Sequence, residues 1–373
     1  MDKADTTKIK KELLVEPHQE QPAAITYPSH LFGLGDFYSA SPSLEILIDS
    51  IYNSLSIEER AAQLIMPATS QYDKIGIPFS EIKTALKKHK IGGVLYLKGT
   101  KSKFASEIAE LSSITKIQNS PGLLNACDCE PSLYHKKFTD ADSIIATSDM
   151  KTDALVDFGA NEISNQIRQM GILLNFAPVA DIGINTEVIG NRAFSANSNE
   201  LILRASRFVY TTQQAGVAAT IKHFPGHGAV IGDTHKSDVY INGELTELNN
   251  FARIIQMSNP IAVMVGHMRI INPAFEDIPS TLSRKVITGL LKEEIGFKGI
   301  VVTDAMQMQA VLKIKNASWK ALVAGADLII MPKNIDVLHQ QIVRSLNDDG
   351  KMSTQLSKSI KKIIRLKICT GLL

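Results

Sequence analysis

Eight short apolar runs punctuate the chain, at Gln63–Met66, Gly93–Leu97, Leu123–Cys127, Leu173–Ala177, Ala218–Lys222, Ala262–Val265, Gly299–Thr303 and Asp327–Met331. Helix-length segments separate most of them, among them Ile82–His89, Lys103–Gln118, Thr152–Met170, Glu200–Ala215 and Arg284–Ile295. Runs that stay apolar without alternating are strands buried on both faces. Eight of them with helices between predict an α/β fold, a (β/α)8 TIM barrel built as a single domain over residues 45–373. An open doubly wound sheet has the same periodicity, but no GxGxxG follows the first run and no GxxxxGK[ST] occurs. Residues 1–44 break the pattern: Pro17, Pro22, Pro28 and Pro42 fall among polar stretches, which predicts a partly irregular N-terminal extension. Regular structure starts near Ser43, where Leu44, Leu47, Ile48 and Ile51 share one helix face.

Composition adds mainly exclusions. The 373 residues are 44% hydrophobic, enough for a large core. Forty basic against 38 acidic side chains leave a net charge of +2, which carries no nucleic-acid footprint. No apolar run reaches membrane-spanning length. Met1 to Leu14 is charged and lacks the apolar centre of a signal peptide, so the chain as written is expected in the cytoplasm, and in the periplasm or outside if a signal peptide was removed. Cys127, Cys129 and Cys369 are too few and ill-spaced for a disulfide scaffold, and the first two read as buried thiols. The lysines of the last helix (Lys358, Lys361, Lys362, Lys367) read as a solvated face. Oligomeric state is not legible.

The candidate chemistry is positional. Ionisable groups stand where the apolar runs stop: Asp128 and Glu130, Asp181, Lys222 and His223, His267, and Asp304. In a barrel those ends converge on one face, where active sites form. The stretch from Lys222 to His235 (KHFPGHGAVIGDTH) is the strongest local signal. Asp233 stands two residues before His235, close enough to hold one imidazole nitrogen and raise its basicity. Gly226, Gly228 and Gly232 suggest an extended loop able to swing over a substrate. Other readings exist. Asp304 alone reads equally as a helix cap. His223, His227, Asp233 and His235 have zinc-type donors, but Pro225-Gly226 prevents a helix from presenting the histidines together, so no metal is expected. His267 reads equally as a rim hydrogen-bonding group, and Arg192 as a structural ion pair.

The segment Lys222–His235 closely resembles the signature of glycoside hydrolase family 3, in its β-N-acetylglucosaminidase branch, with Thr234 in place of a serine. Gly296–Met306 (GFKGIVVTDAM) is similar to that family's nucleophile segment, and Asn175–Asp181 and Asn191–Phe194 match further. The resemblance implies a catalytic barrel with Asp304 as nucleophile and His235 as acid/base, oriented by Asp233. It also implies that Asp128, Arg192, Lys222 and His223 hold sugar hydroxyls and the acetamido group. Family members often read Asp-x-Glu-Gly-Gly-Arg-Val here and then a further Arg. This chain has DCEPSLYHKK (Asp128–Lys137), with Lys136 or Lys137 where the second Arg would stand. A lysine offers a point charge instead of a bidentate fork. The implied activity is a retaining exo-β-N-acetylglucosaminidase acting on peptidoglycan fragments or related small saccharides, without a cofactor. Alternatives are a phosphorylase on the same sugar, a β-glucosidase-like specificity, or a carbohydrate-binding pseudo-enzyme.

Overall fold

The structure is a computed structural model that describes residues 31–72, 75–230, 232–233, 238–348 and 350–373. In chain order the strands are β1 (Ile65–Met66), β2 (Ala68–Thr69), β3 (Gly93–Tyr96), β4 (Leu124–Cys127), β5 (Leu174–Asn175), β6 (Ala218–Phe224), β7 (Tyr240–Asn242), β8 (Ala262–Val265), β9 (Arg269–Ile271), β10 (Ile300–Thr303) and β11 (Ile329–Ile330). Pro67 lacks an N–H and divides the first barrel strand into β1 and β2.

All pairings are parallel. From β2 the order runs β3, β4, β5, β6, β8, β10. A bridge between Val302 and Leu328 carries the ring on to β11, which pairs with β1 through Ile65↔Ile329 and Met66↔Ile330. The ring therefore closes into the expected barrel, and one continuous hydrophobic core fills it and the space beneath its helices. The pair β7–β9 lies outside the ring.

Local rules explain the helix starts. Ser41, Thr100, Thr152, Asn197 and Asn334 each accept a backbone N–H from the first turn of the helix that follows. The helix Pro42–Ser54 begins inside the expected extension, and Leu34 and Phe37 ahead of it are already buried. Residues 1–30 lie outside the described residues. Among the described residues no helix is long and apolar enough to cross a membrane.

In the last helix, Lys351–Cys369, Lys358 is exposed and Lys361 partly so, as expected of a solvated face, but Lys362 and Lys367 depart from it. Lys367 is fully buried with its ammonium 2.6 Å from Gln63 Oε1, and Lys362 reaches Gly299 O at 2.7 Å and Asp327 at 3.3 Å. The helix packs against the strand Ile300–Thr303 and the neighbouring helices, so these two lysines meet a carbonyl, an amide oxygen and a carboxylate instead of water. Asp327 also takes the Ser359 hydroxyl at 2.6 Å and Lys292 at 3.1 Å.

Candidate active site

A cavity of about 630 Å³ opens where the barrel strands end. Polar groups converge on it from several strands: Asp128 after β4, Lys222 and His223 on β6, and Asp304 after β10, joined by Arg192, Lys136 and Lys137. Phe176, Met264, Leu95 and Met308 supply apolar walls.

Adjacent residues of a regular strand point to opposite faces, yet Lys222 and His223 both line the cavity. The register of β6 against β8 shifts between Ile221 and Phe224. That irregularity re-aims the strand and delivers two consecutive side chains to one side. Asp128 behaves as strand alternation predicts: Cys127 and Cys129 on either side are buried free thiols, while Asp128 faces the cavity. The Asn175 side chain braces this turn, accepting the Cys129 N–H at 2.9 Å and donating to the Cys129 carbonyl at 3.2 Å.

Lys222 is the hub of an ion-pair cluster. Its ammonium contacts Asp128 and lies 2.5 Å from Glu130. Arg192 donates twice to Glu130, from Nε and Nη2, each at 2.7 Å, and Lys137 reaches Asp128 at 3.2 Å. Lys137, not Lys136, therefore pairs with Asp128; Lys136 is exposed at the cavity wall. Burial opposes ionisation of Asp128, but Lys222, Lys137 and Arg192 outweigh it and hold its carboxyl below the usual range. Glu130 is likewise held low against burial by Arg192 and Lys222. Lys222 is held high against burial by Asp128 and Glu130. The cluster is thus fully charged, with three cations facing two carboxylates.

A second buried carboxylate, Asp181, organises β6 and the loop after it. It accepts the backbone N–H of His223 at 3.1 Å and of His227 at 2.8 Å, and the His223 Nδ1–H at 2.6 Å. Nδ1 carries the proton in that bond, which turns Nε2 toward the other side of the ring. Burial would raise Asp181, but His223 and His227 lower it on balance. Beyond β6, Glu247 accepts the N–H groups of Gly228 and Ala229, each at 2.9 Å, and of Ile182 at 2.7 Å.

The swinging loop expected from its glycines is corrected for its first half. Residues 223–228 are buried, and the glycines serve close approach. A Cβ on Gly228 would lie 2.0 Å from Ile182 O, and one on Gly226 2.5 Å from Glu247 Cβ. Asp233 is described and partly buried, whereas His235 lies outside the described residues.

Asp304 sits at the end of β10, and its Oδ1 accepts the N–H of Ala305 at 2.7 Å, which fixes the carboxylate plane. His267 does not line the cavity expected of a substrate contact. It is fully buried, against the Thr281 hydroxyl and 3.0 Å from the Ala305 carbonyl, and so supports the turn that carries Asp304. Asp181 stood out at a strand end without a role. Glu247 carried no sequence signal, because only tertiary folding brings it to the loop.

Comparison with known proteins supports the barrel and identifies its family. The glycosyl hydrolase family 3 N-terminal domain matches residues 56–366. β-Hexosaminidase A of Pseudoalteromonas piscicida is 30% identical over 259 residues, covering 62% of this chain and 43% of that protein. A β-hexosaminidase of Vibrio cholerae serotype O1 (strain ATCC 39541 / Classical Ogawa 395 / O395) is 37% identical over 163 residues, covering 42% of this chain and 49% of that protein. The chain thus spans about half the length of these curated relatives. Among solved structures, a family 3 β-N-acetylglucosaminidase from Paenibacillus sp. str. FPU-7 superposes with a TM-score of 0.75 at 27% identity, covering 86% of this chain and 63% of that one. The β-N-acetylhexosaminidase from Beutenbergia cavernae DSM 12333, at 21% identity and a TM-score of 0.73 over 83% of this chain and 98% of that one, shares the fold. With the family's N-terminal domain matched across the whole barrel, the chain belongs to glycosyl hydrolase family 3.

Proposed function

We propose that the chain is a retaining exo-β-N-acetylglucosaminidase that removes terminal β-linked N-acetylglucosamine from small saccharides such as peptidoglycan fragments. The observation that carries this reading is the placement of Asp304 in one cavity with Asp128, Arg192, Lys222 and His223. Relatives named β-hexosaminidase support the same choice of sugar.

In this reading Asp304 attacks the anomeric carbon and forms a glycosyl–enzyme ester. His235, oriented by Asp233, protonates the leaving oxygen and then deprotonates the incoming water. The Asp128–Lys222–Arg192 cluster holds the sugar hydroxyls and acetamido group with donors and acceptors already fixed by ion pairing.

The test is turnover of a panel of aryl glycosides. Aryl β-N-acetylglucosaminides should be cleaved in preference to glucosides, and Asp304→Ala should lose several orders of magnitude while remaining folded, in line with the loss of a nucleophile. His235→Ala should cost about 10²–10⁴-fold on disaccharides and far less on activated aryl leaving groups, which depart without an acid. Equal losses on both substrate types would remove His235 from the acid role. Phosphate added to the assay should leave the product as free sugar; sugar 1-phosphate would reveal a phosphorylase.

A further inference from the structure

We propose that Glu247 is a positioning residue for the loop that carries Asp233 and His235: its ionised carboxylate fastens the start of that loop to the segment following β5, and protonation loosens the fastening. The proposal rests on the activity proposed above only for its catalytic consequence.

Glu247 stands at the N-cap of the helix Leu248–Ser258, where a carboxylate would ordinarily serve the helix's own N–H groups. It makes no side-chain cap bond there. Its oxygens turn to main chain elsewhere, Oε1 to Gly228 and Ala229 on the loop, Oε2 to Ile182 beside Asp181. One carboxylate thus ties two segments that are 46 and 47 residues apart, with Ile182 on one side and Gly228 and Ala229 on the other. Gly226, at φ +131°, lets the loop lie directly on the Glu247 side chain.

The surroundings make this fastening responsive to pH. Glu247 is buried, and among the described residues no cation pairs with it. Asp181 is the charged group facing it from the segment after β5. His223 and His227, on β6 and the loop, are engaged with Asp181 instead. Arg253, on the helix of Glu247, donates to Asn199, and Glu244 ahead of it is exposed. Burial first, and then the charge of Asp181, push the Glu247 carboxyl up to about 7 despite its three N–H bonds. Protonation removes the negative charge that strengthens all three N–H bonds and adds an O–H that meets donors instead of acceptors, so the grip weakens. The fold thereby places a two-state fastener under the loop, in the pH range where an imidazole acid/base also works.

Two measurements decide the matter. In the unmodified protein, amide-exchange protection, corrected for intrinsic rates, is compared at about pH 8 and about pH 5.5, on either side of the carboxyl's titration. Ile182, Gly228 and Ala229 should lose roughly tenfold or more of their protection at the lower pH, while His223 and His227, held by Asp181, should change by less than about twofold. Equal behaviour of the two sets overturns the fastening. In Glu247→Gln, assayed on an aryl β-N-acetylglucosaminide, kcat should fall roughly 10- to 100-fold with KM within about threefold, because the loop is misplaced while the sugar contacts stay. The rise of kcat through about pH 7 in the unmodified protein should be missing from the variant. A variant with unchanged kcat and an unchanged pH profile overturns the positioning role. Absence of turnover in the unmodified protein would overturn the proposed activity, and the exchange measurement would still decide the fastening.

Discussion

Glu130 lies behind the cavity and ties its two buried cations together. It is 1% exposed and holds both Arg192 and Lys222. Removing its charge would leave two buried cations sharing the single carboxylate of Asp128. Breaking a buried pair in this way costs about 3–5 kcal/mol, more than an exposed pair would. Glu130→Gln should therefore lower the urea midpoint sharply, and Asp128→Asn, whose side chain is 23% exposed and reachable by water, should lower it less. The reverse order would show that Asp128 is the keystone. Both carboxyls are held below their unfolded values, so their stabilisation is present above roughly pH 4 and is lost as pH falls through the lower folded values.

At the scale of elements, the eight apolar runs became barrel strands because burial on both faces leaves no alternation to misread. Ala262–Val265 has the same bounds in sequence and structure, whereas Leu173–Ala177 shrank to the ladder pair Leu174–Asn175. The strand-end residues Asp128, Lys222, His223 and Asp304 were legible for the same reason, since barrel strands deliver their last residues to one rim. The irregularity in β6 and the grip of Glu247 were not legible. Both arise from contacts between distant segments that leave no local period. Gly226 and Gly228 were read as freedom, and in the fold they allow close approach. Gly228→Ala tests this. The added methyl would lie 2.0 Å from one main-chain oxygen and 2.4 Å from one main-chain nitrogen, neither of which can rotate away. Turnover should fall at least about tenfold with far-UV circular dichroism unchanged, as expected when a 1 Å shift misplaces a catalytic group. Gly289→Ala, where nothing lies within 4 Å, should be silent.

Across the whole molecule, a second set of fastenings lies away from the cavity, on the final helix. The final helix ties Asp327, Gly299 and Gln63 together, and its Arg365 reaches the carbonyls of Phe37 and Ser39 at 3.0 and 3.2 Å. Lys367 is the strained member: burial pushes its ammonium down to about 7. Its folded value lies below its unfolded one, so stability is lost as pH falls from about 10.4 toward 7. Lys367→Met removes that cost and leaves Gln63 Oε1 without its donor, which returns about 1–3 kcal/mol. Each tenfold loss of proton affinity on burial costs about 1.4 kcal/mol, so the relief wins at neutral pH, and a net gain of roughly 1–3 kcal/mol is expected. The melting temperature of the variant should exceed that of the unmodified protein at pH 7, and the advantage should vanish near pH 10. A less stable variant at both values would show that the Gln63 bond dominates.

Asp181 and Glu247 grip the loop through main-chain N–H groups, which every residue except proline possesses. Glu247's hold therefore makes no demand on the side chains beyond Ala229, although Gly226 and Gly228 must stay small for the loop to lie against its partners. Substitutions past Ala229 leave that anchorage in place, so sequence change there and the hold on the loop are independent of one another.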